Sequence, residues 1–269
     1  MYDHYNRKIT YLRISVTDRC NFRCTYCMPE GGVELKGHGD ILSFDEITEV
    51  VKIGAQLGIS KIRLTGGEPL VRKDLPKLVK MIAEVEGIND IALTTNGVFL
   101  PEFAGELRAA GLNRINISLD TLNPGKFNKI SRTGNVEQVL KGIDAALDAG
   151  LLPVKINFVR IAGVNEEDEK EVRDFCKSRN LQIRFIRQMN LKTGEFSEVE
   201  GGLGGVCSIC NRLRLTADGF LVPWLHSGLR FNIRELGIRE AYRHAVELKP
   251  ENVTGLKFTT EATDLHRKM

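Results

Sequence analysis

The 269-residue sequence lacks the long apolar runs of a membrane protein. No stretch reaches the roughly 18 consecutive apolar residues that a helix needs to cross a bilayer. The N-terminal residues Met1 to His4 also lack the basic and then apolar pattern of a secretory signal. We therefore expect a cytoplasmic protein without a membrane partner. With 42% hydrophobic residues, the chain can still bury a core of ordinary size.

The chain also has little net charge and few aromatic residues. Its 38 basic and 35 acidic residues are interspersed, so the formal net charge is only +3, and aromatic residues make up 7% of the chain. Proteins that bind nucleic acids usually combine a basic groove with stacking aromatic side chains. These counts therefore argue against a nucleic-acid partner, and any affinity for phosphate must come from a local arrangement of charges.

Cysteines are few, and five of the six fall into two tight groups. The first group is Cys20, Cys24 and Cys27, and the second is Cys207 and Cys210. Six cysteines are few for a disulfide-bonded scaffold of this length, and separations of two or three residues are typical of metal ligands. The sixth cysteine, Cys176, lies alone in a helical pattern, where we expect it to be buried and inert.

The first group presents its three thiols within eight residues, in the order Cys-x3-Cys-x2-Cys. Three thiolates on one short loop can hold three irons of a 4Fe-4S cubane and leave the fourth iron open. Zinc is the alternative, but structural zinc sites normally use four ligands, and no nearby histidine completes such a set. The spacing therefore favours a reactive iron-sulfur cluster bound by Cys20, Cys24 and Cys27.

From residue 10 to about residue 188, short β-like runs alternate with longer amphipathic stretches. This alternation predicts parallel strands joined by right-handed crossovers. The candidate strands are Tyr11 to Val16, Lys61 to Leu64, Asp90 to Thr94, Arg114 to Ser118, Val154 to Val159 and Gln182 to Ile186. The candidate helices are Phe44 to Leu57, Lys73 to Val85, Glu102 to Ala110, Val136 to Ala149 and Glu166 to Ser178.

An open doubly wound sheet and an incomplete barrel would both satisfy this alternation. Polar groups follow the ends of successive candidate strands, namely the first cysteine group, Gly66 to Glu68, Asn96 and Ser118. In barrels, functional residues come from the loops at the C-terminal ends of several strands. We therefore predict an α/β fold with a partial (β/α)6 TIM-like barrel.

After Met189 the alternation stops. The stretch from Lys192 to Gly205 is rich in glycine and glutamate and predicts a linker or mobile loop, and a further helix is expected from Ile233 to Leu248. We predict two units, a partial barrel over residues 1–190 and a small C-terminal auxiliary domain over residues 191–269, which carries the second cysteine group.

Five segments carry longer motifs: YLRISVTDRC from Tyr11, KIRLTGGEPL from Lys61, LTTNG from Leu93, NISLDTL from Asn116 and CSICNRLRLTADG from Cys207. Together they resemble the radical S-adenosylmethionine superfamily and, within it, the GTP 3',8-cyclase family of molybdenum cofactor biosynthesis. The resemblance implies a lyase with a barrel of the radical S-adenosylmethionine type and a twitch-like auxiliary segment. It also implies a 4Fe-4S cluster, reductive cleavage of S-adenosylmethionine to a 5'-deoxyadenosyl radical, and GTP as the substrate.

The resemblance also implies individual contacts. Positions that match the family's cofactor contacts are Tyr26, Gly66, Gly67, Glu68, Ser118 and Met189. Positions that match its contacts to GTP, or border that site, are Arg13, Arg63, Thr94, Lys155, Arg184, Arg212 and Arg214. Several of the basic positions lie on or beside candidate strands, where charge is rare unless a ligand pairs with it. A reductant protein such as flavodoxin or ferredoxin would be the partner.

The C-terminal segment departs from the family. The family's second cluster uses Cys-x2-Cys and a third cysteine, whereas Trp224 stands at that third position. Indole offers only an N–H donor and cannot bind iron. Either His226 or Cys176 replaces the missing ligand, or the second iron-sulfur cluster at Cys207 and Cys210 is different, labile or absent, or the two cysteines bind something simpler.

Three functions remain open from the sequence. The first is a radical enzyme that acts on GTP or a related nucleotide. The second keeps the same radical machinery but acts on a peptide or another small metabolite, which would account for Trp224 and for a segment between Met189 and Cys207 that is shorter than the family's. The third is a non-catalytic protein with zinc at both cysteine groups. The oligomeric state is not indicated.

Overall fold

The computed structural model describes residues 1–189, 197–224 and 228–252. Its strands are β1 (Tyr11–Ser15), β2 (Lys61–Thr65), β3 (Asp90–Thr95), β4 (Arg114–Ser118), β5 (Val154–Arg160), β6 (Gln182–Arg187), β7 (Arg212–Leu215), β8 (Phe220–Val222) and β9 (Phe231–Asn232). Its helices are α1 (Phe44–Gln56), α2 (Leu75–Ala83), α3 (Leu100–Ala109), α4 (Pro124–Ser131), α5 (Val136–Asp148), α6 (Glu169–Ser178), α7 (Ile233–Leu236) and α8 (Ile238–Glu247).

The nine strands form one sheet in the order β6-β5-β4-β3-β2-β1-β7-β8-β9. Strands β1 to β6 run parallel to one another, and at least one α-helix precedes each new strand. Because β6 and β9 stand at opposite edges of the sheet, the barrel is not closed. The predicted partial barrel is therefore confirmed, and the six predicted strands differ from the observed ones by one residue at most.

The two faces of the sheet differ in chemistry. In β2, Ile62 and Leu64 belong to the hydrophobic core, whereas Arg63 and Thr65 are buried polar residues at the alternate positions. Successive side chains of a strand point to opposite faces, so the apolar set packs under the helices and the polar set lines the inside of the barrel. β5 repeats the pattern, with Ile156 and Phe158 in the core. The core thus lies between sheet and helices, and the inside of the barrel is left for polar groups.

Helix ends follow local capping chemistry. Ser43 and Glu46 form a complete capping box at the start of α1, as the sequence predicts. The prediction of one helix from Ile233 to Leu248 is wrong, because Gly237 adopts φ +80° and separates α7 from α8. Helix α4 was not predicted; it begins after Asn123, whose side chain accepts a hydrogen bond from the amide of Lys126.

The loop predicted from Lys192 to Gly205 has no helix or strand in residues 197–205 apart from an isolated bridge at Glu200, its mobility stays a prediction, and residues 190–196 lie outside the described residues. Residues 197–206, here called the return segment, run back along the edge of the sheet. Glu200 exchanges two backbone hydrogen bonds with Phe185 of β6, both of 3.1 Å. Its carboxylate also pairs with Arg160 at 2.6 Å and with Arg173 at 3.1 Å. The return segment therefore covers the edge of β6.

The C-terminal strands extend the barrel sheet on its other side. β7 pairs in parallel with β1, which places Arg214 beside Arg13, and β8 and β9 continue the sheet with antiparallel pairings. Helix α8 packs on α1, where the hydroxyl of Tyr242 donates to the carbonyl oxygen of Val50 at 3.2 Å. The division of the chain at residue 190 stays a prediction. No helix in the described ranges is long and apolar enough to span a membrane.

A pair of glycine substitutions tests the packing of α5. A Cβ at Gly142 would overlap the carbonyl oxygen of Gly97, whereas a Cβ at Gly105, on the exposed side of α3, would meet nothing within 4 Å. Overpacking costs about 1–3 kcal/mol, and alanine is favoured over glycine in an open helix position by about 0.5–1 kcal/mol. We expect Gly142→Ala to lower, and Gly105→Ala to raise, the free energy of unfolding measured by urea denaturation. Equal effects of the two would contradict the close packing.

Candidate active site

The loop that carries the first cysteine group follows β1 and is held by α4. Backbone amides of Arg23 and Thr25 donate to the carbonyl oxygens of Ser131 and Ile130, at 3.1 and 2.9 Å. The guanidinium of Arg132 donates to the carbonyl oxygens of Arg23 and Met28. With the loop fixed in this way, its three cysteines line one cavity of about 230 Å³.

The thiols are partly buried and close enough to influence one another. Burial, opposed by the amide of Phe22 at 3.4 Å from the sulfur, raises the pKa of Cys20 to about 11, and burial also raises the pKa of Cys24. Negative charge on Cys27 further raises the pKa of Cys20 and Cys24, and negative charge on Cys20 raises that of Cys24. Such thiols stay protonated alone, and a bound metal would remove their protons.

The number of thiols in the loop matches the ligand set of a cubane cluster that has one open iron. Across residues 1–189, 197–224 and 228–252, no three histidine, cysteine or acidic side chains converge as they must around one metal ion. A cubane cluster instead binds each thiolate to a different iron, so its ligands stand further apart. The donor set of Cys20, Cys24 and Cys27 therefore suits three irons of a cubane.

The glycines of the Gly66-Gly67-Glu68 loop are required by packing. A Cβ at Gly66 would lie 2.7 Å from the carbonyl oxygen of Thr17, and a Cβ at Gly67 would overlap the carbonyl group of Arg19. The amides of Gly67 and Glu68 donate to those same two carbonyl oxygens at 2.9 and 2.8 Å. The loop after β2 is thus locked against the backbone that leads into the cysteine loop.

Glu68 ties the loops after β2 and β3 together. Its buried carboxylate accepts hydrogen bonds from the hydroxyl of Thr95 at 2.6 Å, the amide of Asn96 at 2.7 Å and the amide of Leu70 at 3.1 Å. Burial raises the pKa of Glu68 to about 7, although these hydrogen bonds favour the charged form. Glu68 also lines the smaller cavity, so it can both brace the site and face a ligand.

Tyr26 and Asp120 connect the cysteine loop to the far strands. The phenol of Tyr26 donates to one oxygen of Asp120 at 2.8 Å, and the other oxygen accepts from the amide of Val159 at 2.8 Å. Burial raises the pKa of Asp120 to about 6, and it also raises the pKa of Tyr26. This chain of hydrogen bonds fixes the position of Tyr26 between the two cavities of the site.

A second, larger cavity of about 420 Å³ adjoins the first. Tyr26, Cys27, Val159 and Ile186 line both. All six predicted cofactor positions border this joint space: Gly67, Glu68 and Ser118 line the smaller cavity, Gly66 and Met189 the larger, and Tyr26 both. The site is therefore continuous from the cysteine loop to the C-terminal segment.

The predicted basic residues share the inner face of the barrel. In the strand register Arg13 lies between Arg63 and Arg214. Buried Nε atoms of Arg13, Arg63 and Arg184 have no hydrogen-bond partner in the described part of the chain. Tyr11 supplies partial compensation, because the guanidinium groups of Arg63 and Arg212 lie 5.9 and 6.0 Å from the centre of its ring.

Electrostatics within this set are repulsive. Burial, then the neighbouring cations, lower the pKa of Arg13 to about 10 and lower that of Arg184 and Arg214. The pKa of Lys155 is also lowered, first by burial and then by the neighbouring arginines. A multiply charged anion would relieve both the repulsion and the missing hydrogen bonds, so the face suits a polyphosphate.

The predicted substrate positions are only partly brought to the cavities. Arg13, Arg212 and Arg214 line the larger cavity, and Thr94 lines the smaller one. Arg63, Lys155 and Arg184 line neither. Arg63 still reaches the site, because it donates to the hydroxyl of Thr94 at 3.4 Å.

The second cysteine group lies on the wall of the larger cavity, together with Trp224. The amide of Cys210 donates to the carbonyl oxygen of Cys207 at 3.1 Å in a short 3-10 turn. Although burial opposes it, Lys249 lowers the pKa of Cys210. Cys176 is 1% exposed in the core of α6, as predicted, and lines neither cavity. His226 lies outside the described residues.

Two thiols and an indole do not fit a second 4Fe-4S cluster. Such clusters are held by three or four thiolates, and indole has no lone pair to offer a metal. No third ligand joins Cys207 and Cys210 within the described ranges.

Several polar residues of the site were not among the predicted contacts. Asp120, Asn96 and Asn157 line the smaller cavity. Asp120 stands two positions after Ser118, within the NISLDTL motif. Asn157 stands two positions after Lys155, on the same face of β5. Because side chains two positions apart on a strand share a face, this spacing could have predicted both residues. Arg187, the last residue of β6, and Gln188, which follows it, line the larger cavity.

Comparison with known proteins agrees with this site. The family model described as "Radical SAM superfamily" matches residues 14–176. The chain is 41% identical to a GTP 3',8-cyclase of Petrotoga mobilis over 93% of this chain and 94% of that one. It is 44% identical to a GTP 3',8-cyclase of Peptoclostridium acidaminophilum over 84% and 83% of the two chains.

Solved structures share the fold at low sequence identity. Streptococcus suis SuiB bound to S-adenosylmethionine superimposes with a TM-score of 0.64 at 13% identity, over 98% of this chain and 71% of that one. Methylornithine synthase gives a TM-score of 0.55 at 18% identity, over 95% and 76% of the two chains. By the family model and by its identity to the curated relatives, this chain belongs to the radical SAM superfamily and, within it, to the GTP 3',8-cyclase family.

Proposed function

We propose that this protein is a radical S-adenosylmethionine enzyme that acts on GTP or a related nucleotide. The observation that carries the proposal is the shared space between the three-thiol loop and the basic inner face of the barrel. Cys27 and Arg13 line the same cavity, so a nucleotide held by its phosphates would lie next to the cysteine loop. Relatives at 41–44% identity that are named GTP 3',8-cyclase support this choice of substrate.

Cys20, Cys24 and Cys27 would hold a 4Fe-4S cluster through their thiolates. When bound, the cluster would supply one electron and S-adenosylmethionine the 5'-deoxyadenosyl group for radical chemistry. With three thiolates from the protein, one iron of the cluster would have no protein ligand, and Gly67 and Ser118 line the same cavity as the three thiols. Both residues match cofactor contacts of the family.

The protein's own residues would orient the cofactor and keep water away from it. The hydrogen bonds of Glu68 fix two strand-end loops, and those of Asp120 fix Tyr26, so the walls are set before a ligand binds. Val159 and Ile186 line both cavities and give their junction an apolar surface. Shielding of this kind protects a reactive intermediate from side reactions.

Arg13, Arg212 and Arg214 would bind the substrate phosphates, with Arg63, Lys155 and Arg184 adding positive potential behind them. Arginine offers several N–H donors in a fixed plane, which suits phosphate oxygens. Their mutual repulsion in the free protein would be relieved on binding. Thr94, which already accepts from Arg63, matches a further contact.

A second candidate keeps the radical machinery but acts on a different substrate, such as a peptide or another metabolite. Trp224 at the position of the family's third cysteine favours it, because the wall of the larger cavity then differs from that of relatives with a second cluster. Zinc at the cysteine loop is less well supported, since structural zinc sites normally use four ligands and this loop offers three thiols.

Three further proposals complete the assignment. A small reductant protein, such as flavodoxin or ferredoxin, would deliver the electron. The protein would work in the cytoplasm. Residues 191–269 would act as a shortened auxiliary domain that closes one side of the larger cavity, since Cys207, Cys210 and Trp224 line it.

Replacement of Cys20, Cys24 or Cys27 by alanine should abolish cleavage of S-adenosylmethionine. A cluster with two protein ligands should be lost, so iron content should also fall by about four atoms per chain. Formation of 5'-deoxyadenosine by anaerobically reconstituted, reduced protein is the measurement. Cys176→Ala is the matched control, because that thiol is buried in the core away from both cavities. Cleavage by an iron-loaded Cys24→Ala variant would contradict the assignment.

Arg13→Met should weaken the binding of GTP without lowering the free energy of unfolding. The side chain is buried among cations and its Nε has no partner, so its replacement removes a repulsive charge and should leave the unfolding free energy equal or higher. A charged hydrogen bond to phosphate contributes about 1.5–3 kcal/mol, so affinity for GTP should fall by about ten- to a hundredfold.

Isothermal titration calorimetry and urea denaturation check the two halves of this prediction. Arg243→Met on the exposed face of α8 is the control, since it removes the same charge away from the cavity. Unchanged GTP affinity in Arg13→Met would remove the phosphate-binding role.

A further inference from the structure

The lining of the larger cavity combines two kinds of chemistry. It includes the guanidinium groups of Arg13, Arg212 and Arg214, and also the apolar side chains of Val206, Pro223 and Trp224 beside the thiols of Cys207 and Cys210. Cationic side chains suit phosphates, whereas an apolar wall with a large flat ring suits a planar aromatic group. A nucleotide carries both kinds of group in one molecule.

The backbone beside Trp224 is held in place. Lys249 is 3% exposed, and its ammonium donates to the carbonyl oxygens of Pro223 at 2.6 Å and Arg212 at 2.8 Å. β8 ends two residues earlier, at Val222, which pairs with Arg214 of β7. The ammonium of Lys249 therefore holds Pro223, the residue before Trp224, next to β7. That strand carries Arg212 and Arg214.

A metal does not explain this wall. Cys207 and Cys210 supply two thiols, and the third position carries an indole that cannot bind iron. The indole instead offers the largest aromatic surface of any side chain, and base–aromatic stacking contributes about 1–3 kcal/mol for each base. Trp224 thus replaces a coordinating group by a stacking group at the same wall.

We propose that Trp224 is the residue that binds the purine base of the substrate, by stacking, while the basic inner face binds its phosphates. The proposal rests on the proposed function, because it takes a nucleotide as the substrate. It assigns base binding to a protein side chain and requires no second iron-sulfur cluster.

Trp224 is the only tryptophan of the chain, so its fluorescence reports on this wall alone. Anaerobically reconstituted full-length protein is titrated with GTP and, separately, with inorganic triphosphate. We expect GTP to quench the emission in a saturable way. Triphosphate, which has no base, should bind without the same quenching and should compete with GTP.

Three variants measured by calorimetry give the second readout. Trp224→Phe keeps an aromatic face and should bind GTP within about threefold of the parent protein. Trp224→Ala and Trp224→Leu should bind GTP about tenfold more weakly, because leucine restores apolar volume but not stacking. All three should bind triphosphate as the parent does. Iron content and circular dichroism establish that the variants are folded and loaded.

The outcomes separate this proposal from the function on which it rests. If GTP binds and 5'-deoxyadenosine is formed, but leucine at position 224 serves as well as phenylalanine, the stacking role is overturned and the function stands. An equal loss of GTP and triphosphate affinity in Trp224→Leu overturns it too. If the parent protein cleaves S-adenosylmethionine but binds neither GTP nor triphosphate, the nucleotide substrate itself is wrong.

Discussion

Positive charge that is only partly compensated inside the barrel is the constraint on which the rest of the structure depends. Arg13, Arg63 and Arg184 bury nitrogen atoms without partners, and the pKa of Arg13 is lowered because burial and its neighbours oppose the charge. A protein of marginal stability can keep such a face only if other interactions offset it. The continuous apolar layer between the sheet and the helices, together with close backbone packing, supplies the offset. A ligand that neutralises the cations of the inner face would therefore stabilise the protein more than a ligand bound elsewhere.

Rigidity at the mouth follows from the same requirement. Backbone pairing holds the strands next to one another, and hydrogen bonds between strand-end loops hold the mouth in addition. Glu68 connects the loops after β2 and β3, and Asp120 connects the cysteine loop to β5 through Tyr26 and Val159. Both carboxyl groups are buried and have raised pKa values, so neither is available as a counter-ion for the inner face. The acidic groups of the site therefore hold the loops in position, and the basic groups remain available to bind the substrate.

The sequence predicted the sheet well because strands and helices differ in period. Alternate positions of β2 and β5 are apolar toward the helices and polar toward the inside, and this pattern needs no tertiary information. The contacts of the return segment could not be predicted, because glycine permits both flexibility and close approach. At Gly201 a Cβ would lie 2.6 Å from the carbonyl oxygen of Ile183, and φ is +79°, so close packing is the reason for glycine there. The sequence alone cannot show whether glycine is there for flexibility or for close packing, because the contact depends on where β6 lies.

Candidate site residues were predictable where a strand end fixed their location, and unpredictable where two distant segments meet. Cys27 and Trp224 lie almost 200 positions apart, and their shared cavity exists because β7 pairs with β1. That pairing also decides what the cavity can recognise. Phosphate contacts cannot distinguish one nucleotide from another, and stacking accepts every base because each has a π-face. Choice between purines would then come from hydrogen bonds to the base edge, and Arg187 and Gln188 at the end of β6 are among the polar groups on the cavity wall.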